Sequence, residues 1–182
     1  ATTPPPTVTT PVNYCQNAVA IPLTATGTNL LWYTTATGGT GTTTAPIPST
    51  TVVGNITYYV SQTQSCGESP RAAIVVNVNI IPGAPAVTSP VTYCQNTTAV
   101  ALTATGINLL WYTTSSGGTG TTAAPIPSTA ATGSTNYYVT QTTTGCESPR
   151  AAITVTINAT PTAPVVSSTV AYCQNAGAAS LT

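Results

Sequence analysis

The sequence predicts an all-β protein: tandem immunoglobulin-like β-sandwich domains in a beads-on-a-string array, with one disulfide per domain. Three observations carry this expectation. One long stretch occurs twice, at an offset of about 79 residues, and begins a third time. Within it, apolar residues alternate with period two between Gly and Pro turn signals, and no run has helical spacing. Each full copy also holds one Trp and two Cys.

The repeated stretch runs Tyr14-Cys15-Gln16-Asn17, Asn29 to Thr35 around Trp32, Tyr58-Tyr59-Val60, Cys66 and Glu68-Ser69-Pro70-Arg71. It returns as Tyr93-Cys94-Gln95-Asn96, Asn108 to Thr114 around Trp111, Tyr137-Tyr138-Val139, Cys146 and Glu147-Ser148-Pro149-Arg150. A third copy opens at Tyr172-Cys173-Gln174-Asn175. The period divides the chain into repeat 1 over 4–82, repeat 2 over 83–161, the start of a third repeat over 162–182, and the end of a preceding join over 1–3. On this phase the sequence reads as a window of a longer array.

Each copy opens on a Pro-rich join, Pro4-Pro5-Pro6 and then Gly83-Ala84-Pro85, where the missing N–H groups favour a stiff, extended connector. Ile21, Leu23 and Ala25 alternate as a first strand, matched by Val100, Leu102 and Ala104. Leu30 with Trp32, and Tyr58 with Val60, supply two more inward-facing pairs. Between them, Gly38-Gly39-Thr40-Gly41 and Gly117-Gly118-Thr119-Gly120 read as turns, and Pro46 and Pro48 confine residues 45–49 to a loop or an edge strand. Ile74, Val76 and Val78 form the inner face of a last strand, as do Ile153, Val155 and Ile157.

The five cysteines fall two to a repeat with one left over, so the expected pairs are Cys15 with Cys66 and Cys94 with Cys146, with Cys173 unpaired within this sequence. Closing such a loop of about 50 residues contributes on the order of 4 kcal/mol in a chain-entropy account. The second cysteine slips by one residue between copies, Cys66-Gly67 against Gly145-Cys146. Such a slip inside a strand would turn the side chain to the other face, so the bond is expected to tie a loop to a strand end and not to cross the sandwich centre.

Taken together, Tyr-Cys-Gln-Asn, Leu-Leu-Trp-Tyr-Thr-Thr, Gly-Gly-Thr-Gly, Tyr-Tyr-Val-Ser-Gln-Thr and Cys-Glu-Ser-Pro-Arg-Ala-Ala-Ile make the chain resemble the Ig-like repeats of giant cell-surface adhesins of Bacteroidota. The resemblance covers essentially the whole chain. It implies an extracellular, cell-surface location, export by type IX secretion, and a stalk or adhesin role of the kind found in gliding motility.

Composition excludes much else. The charged residues are Glu68, Arg71, Glu147 and Arg150, the net charge is zero, and Lys, Asp and His are absent. That inventory gives no basic footprint for nucleic acid, no His or CxxC for a metal, too few carboxylates for calcium, and for catalysis one Glu per repeat and two cysteines better spent as a disulfide. No cofactor is expected, and no stretch is long and apolar enough for a membrane helix. Glu68 with Arg71, and Glu147 with Arg150, are expected as ion pairs bracing the loop beside the second cysteine. Trp32 and Trp111 belong to the core by alternation. The same alternation turns Leu31, Tyr33 and Tyr59 outward, with Leu110, Tyr112 and Tyr138 in the second copy, as a candidate contact surface. Expected partners are neighbouring repeats, identical chains in a fibre, or a glycan or surface ligand. The function expected is a structural segment of an extracellular filament or adhesin stalk; the alternative is a multivalent glycan-binding module.

Overall fold

A computed structural model describes residues 2–166 and 171–177. Repeat 1 contributes β1 (Thr7–Val8), β2 (Val12–Cys15), β3 (Ala25–Thr26), β4 (Leu30–Tyr33), β5 (Gly54–Gln64), β6 (Gly67–Glu68) and β7 (Ala72–Asn79). Repeat 2 contributes β8 (Ala86–Val87), β9 (Val91–Cys94), β10 (Ala104–Thr105), β11 (Leu110–Tyr112), β12 (Gly133–Thr140), β13 (Thr142–Thr143), β14 (Cys146–Glu147) and β15 (Ala151–Asn158). The main sheets have the order β2-β7-β5-β4 and β9-β15-β12-β11, each accompanied by a two-stranded sheet, β1-β3 or β10-β8. The fold is all-β with two tandem Ig-like domains, as the period-two pattern predicts.

Register explains the core. Trp32 stands opposite Val60 across β4 and β5, and Tyr58 opposite Ile74 across β5 and β7. Leu23, Trp32, Val60, Ile74 and Val76 form the buried cluster of repeat 1, with Leu30 and Tyr58 packed against it. Repeat 2 repeats it with Leu102, Trp111, Val139, Ile153, Val155 and Ile157. Burying each such aliphatic side chain is worth about 1.5–3 kcal/mol, so each domain carries its own core.

The strand expected over Ile21, Leu23 and Ala25 is only partly there. Leu23 is buried, but Ile21 is 65% exposed and Val100 is 68% exposed. The segment is held by single contacts, such as the Leu23 N–H donating to the Pro46 carbonyl, and becomes a ladder only at Ala25–Thr26. Residues 45–49 are a loop.

The disulfide differs most from expectation. Cys15 bonds Cys146, with a Cα–Cα distance of 5.6 Å, and Cys66, Cys94 and Cys173 are free and exposed. The expected pairs Cys15 with Cys66 and Cys94 with Cys146 are therefore corrected: the staple joins repeats and does not close one. Strand register gives the reason. Cys15 faces Asn79 at the far end of β7, whereas Val60 faces Ala72 at its start. From there β5 runs on to Gln64 before the turn that carries Cys66. The two cysteines of one repeat thus sit at opposite poles of a sheet, separated by about ten strand positions, on the order of 30 Å at ~3.3 Å per residue. A disulfide tolerates about 7 Å between Cα atoms. In repeat 2, Cys94 likewise faces Asn158 at the end of β15, while Cys146 lies beyond the Val139–Ala151 pair at its start.

Candidate functional site

Each repeat therefore has a leading pole, where the join enters beside the second cysteine, and a trailing pole, where the first cysteine and the last strand end. At the trailing pole the ladder runs one residue past β2, the Gln16 N–H donating to the Asn79 carbonyl. Asn17 then takes a left-handed conformation (φ 62°), which Asn tolerates better than most residues. Asn96 and Asn175 repeat it, with φ 63° and 66°, which accounts for the Asn of every Tyr-Cys-Gln-Asn.

At the leading pole one buried glutamine anchors the incoming join. Gln62 donates from Nε2 to the Pro4 carbonyl and accepts at Oε1 from the Thr28 N–H. Gln141 does the same with the Gly83 carbonyl and the Ile107 N–H. Sequence reasoning passed over both residues; the one signal for them was the recurrence of Gln at the same place after Tyr-Tyr-Val-Ser and Tyr-Tyr-Val-Thr.

The leading-pole hairpin shows what the one-residue slip does. Its two-residue loop in repeat 2 is Thr144-Gly145, with φ 50° and 80°, and the favoured two-residue hairpin needs positive φ at both places. Cys146 then falls on β14 and is buried. In repeat 1 the loop is Ser65-Cys66, and the positive φ moves to Gly67 at 98°. The second cysteine is therefore at a tight turn, and its bond ties that turn to a strand end, but in the neighbouring repeat.

Two charged side chains brace this hairpin in each repeat. Glu68 Oε1 accepts from Tyr33 Oη at 2.5 Å and from Ser61 Oγ at 2.6 Å. Arg71 lies 3.3 Å over the Tyr33 ring centroid and donates from Nη1 to the Thr35 carbonyl at 2.6 Å. In repeat 2, Glu147 accepts from Tyr112 at 2.5 Å and Thr140 at 2.7 Å, and Arg150 lies 3.6 Å over the Tyr112 ring. Arg150 also donates to the carbonyls of Thr114 and Gly117. What the sequence suggested as a direct ion pair is a three-part bracket, carboxylate to phenol and phenol ring to guanidinium. It spans β4, β5 and the hairpin, and in repeat 2 its Glu147 directly follows the staple cysteine.

The bracket also corrects the proposed contact surface. Tyr33 and Tyr112 are on the outer face of β4 and β11, but they are 7% and 8% exposed. The arginine covers one side of the ring, and the Gly-Gly-Thr-Gly loop closes over it: a Cβ on Gly41 would fall 2.6 Å from Tyr33 Cζ, and one on Gly120 2.6 Å from Tyr112 Cζ. Leu31, Tyr59, Leu110 and Tyr138 are half-buried. We expect Gly120→Ala to force the loop off Tyr112 and destabilise repeat 2 by about 1–3 kcal/mol, the range for overpacking. Denaturant unfolding measures it; an unchanged midpoint would show that the loop does not rest on the ring.

Hydrogen bonds from Ser61 and then Tyr33, aided by Arg71, hold the Glu68 carboxyl below its ordinary value of 4.5. Those from Tyr112 and Thr140, aided by Arg150, do the same for Glu147. The bond to Glu147 pushes the Tyr112 phenol above 10.0. A depressed carboxylate stabilises the fold fully above about 4.5 and loses that contribution as pH falls through the lower folded value; a raised phenol stabilises below about 10 and loses it as pH rises through the folded value. The melting temperature is thus expected to be flat between these limits and to fall outside both. Glu147→Gln flattens the acid side for repeat 2, and an acid limb unchanged in the Glu68→Gln, Glu147→Gln double variant would refute the bracket's part in it.

Shallow grooves of about 540 and 510 Å³ recur beside the cores, lined in part by Leu23, Asn29 and Trp32 and by Leu102, Asn108 and Trp111. Both tryptophans are 4% exposed, so neither offers a ring face for stacking.

The geometry defines a class: a tandem Ig-like β-sandwich pair stapled across its junction. The chain belongs to the family described as the Ig-like domain, CHU_C associated, whose model matches residues 4–79 and 82–158. No curated protein is similar to it in sequence. Among solved structures, mouse clustered protocadherin PcdhgC3 EC1-3 is 10% identical, with 84% of this chain and 67% of that one covered at a TM-score of 0.28. The endo-fucoidan hydrolase MfFcnA9 of glycoside hydrolase family 107 is 15% identical, with 69% and 26% covered at 0.24. Superposition this loose carries no argument about function.

Proposed function

We propose that the chain is a structural segment of an extracellular filament or adhesin stalk on a bacterial cell surface, with no enzymatic activity. The observation that carries this reading is the Cys15–Cys146 bond, which ties one repeat to the next and makes sense in a part that transmits load along its length. Disulfides belong to oxidising, extracytoplasmic compartments, which supports secretion. The CHU_C-associated family description and the resemblance to Bacteroidota surface adhesins favour type IX export and a part in attachment or gliding. Neighbouring repeats are the first partners, and the near-absence of charge leaves little repulsion between identical chains packed side by side.

The rival reading, a repeated glycan-binding module, loses the tryptophans and the bracket tyrosines as stacking platforms, because these are buried in both repeats. Electron microscopy of the native material tests the choice. Thin rods in single file are the expected image. Globular particles without rods, together with glycan binding that strengthens with repeat number, would overturn the stalk in favour of the binding module.

A further inference from the structure

Cys15 and Cys146 are bonded, while their counterparts in the other repeat, Cys94 and Cys66, are free and exposed. Cys94 ends β9 opposite Asn158 as Cys15 ends β2 opposite Asn79, so the two trailing poles are alike. They differ in cover. Cys15 is half-buried beneath repeat 2, where Asn79 Nδ2 also donates to the Thr144 carbonyl at 3.4 Å, while Cys94 is exposed. The third copy follows this repeat in the chain. Its Ala176 N–H donates to the Cys173 carbonyl at 3.0 Å, as the Ala18 N–H does to the Cys15 carbonyl, so the third copy opens on the same turn.

We propose that the staple is periodic: Cys94 is the trailing-pole half of a second inter-repeat disulfide, and it bonds the leading-pole cysteine of the repeat that opens at Tyr172. Wherever a copy precedes another in such an array, the same rule pairs the later copy's leading-pole cysteine, here Cys66, with the earlier copy's trailing-pole cysteine. Each bond forms by oxidation of two thiols to one disulfide with release of two protons; the two electrons reduce a disulfide oxidant such as oxidised glutathione to its thiols. Because every bond reaches from the end of one repeat to the start of the next one's hairpin, successive loops overlap: the loop from Cys15 to Cys146 contains Cys94, where the next begins. A pull along such an array passes from staple to staple, and between Cys146 and Cys173 only the intervening residues can extend. The inference does not depend on the stalk reading, because a multivalent binding array would be locked in the same way.

The test completes the third copy. The chain is extended after Thr182 with the sequence of residues 104–161, refolded with reduced and oxidised glutathione, and its thiols titrated in denaturant. Periodic stapling leaves Cys66 and Cys173 free and no others. Trypsin, cutting after Arg71, Arg150 and the appended copy of Arg150, then releases fragments linked in series, 1–71 to 72–150 to the third, until reduction separates them. No free thiol, with unlinked fragments, would mean that each repeat closes on itself; a third fragment unlinked while 1–71 and 72–150 stay joined would mean that the staple is peculiar to one junction. Either result overturns the proposal. In the Cys94→Ser variant of the extended chain, the expected result is retention of the Cys15–Cys146 link and release of the third fragment. Persistence of that fragment's link would also refute the assignment. Native microscopy for rods is a separate readout, so failure here and failure of the stalk reading are distinguishable.

Discussion

Thiol titration of the unreduced, denatured chain is expected to find three free cysteines, Cys66, Cys94 and Cys173, and tryptic fragments 1–71 and 72–150 joined by one disulfide. Pairing within each repeat would instead leave one free thiol and keep those fragments separate. The chain has only two tryptic sites, after Arg71 and Arg150, and they fall where the two patterns give opposite results. The mechanical consequence is larger. The bond spans a sequence separation of 131, so pulling the unfolded chain from its ends should yield roughly 440 Å less extension before reduction than after, at ~3.4 Å per residue. In the chain-entropy model a loop of this size stabilises the folded pair by about 5 kcal/mol. Cys15→Ser should remove both effects without disturbing either core, since Cys15 lies outside the buried clusters. An extension unaltered by reduction would refute the connectivity.

Trp32→Ala is expected to cost repeat 1 about 3–5 kcal/mol, the range for deleting a buried aromatic, which can unfold a domain of this size. Trp32 is 4% exposed, it belongs to the core, and its backbone bonds Thr42 in both directions, so few neighbours can collapse into the space it leaves. The two clusters share no residue. In the reduced protein, repeat 2 should therefore keep its melting transition while that of repeat 1 falls. With the disulfide closed the transitions should move together, because each repeat limits the unfolded freedom of the other. Calorimetry with and without reductant distinguishes these cases. A loss shared equally by both repeats in the reduced variant would show one continuous core.

The core was legible because it is local. Alternation put Leu30, Trp32, Tyr58, Val60, Ile74 and Val76 inward, and a strand has only two faces to choose from. The outer face was harder. Alternation assigned Tyr33 to it correctly, but whether that face is open depended on Arg71 reaching across it and on a glycine loop folding back over the ring. Those contacts join residues far apart in the chain, and periodicity does not encode them. The glutamines that hold the joins were overlooked for the same reason, since Gln62 and Gln141 find their partners 34 and 58 positions away in the chain.

The sequence by itself determined the repeat period, the all-β class, the inward face of the principal strands and the poverty of charge, because each follows from composition or from a period read along one chain. It also held an ambiguity that no spacing resolves. Two cysteines per repeat and one left over fit closure within each repeat and closure between neighbours equally well. Only the tertiary structure decided between them: β2 lies parallel to β7 and β5 antiparallel to it, which sends the two cysteines of a repeat to opposite poles, and head-to-tail stacking then brings the trailing pole of one repeat against the leading pole of the next.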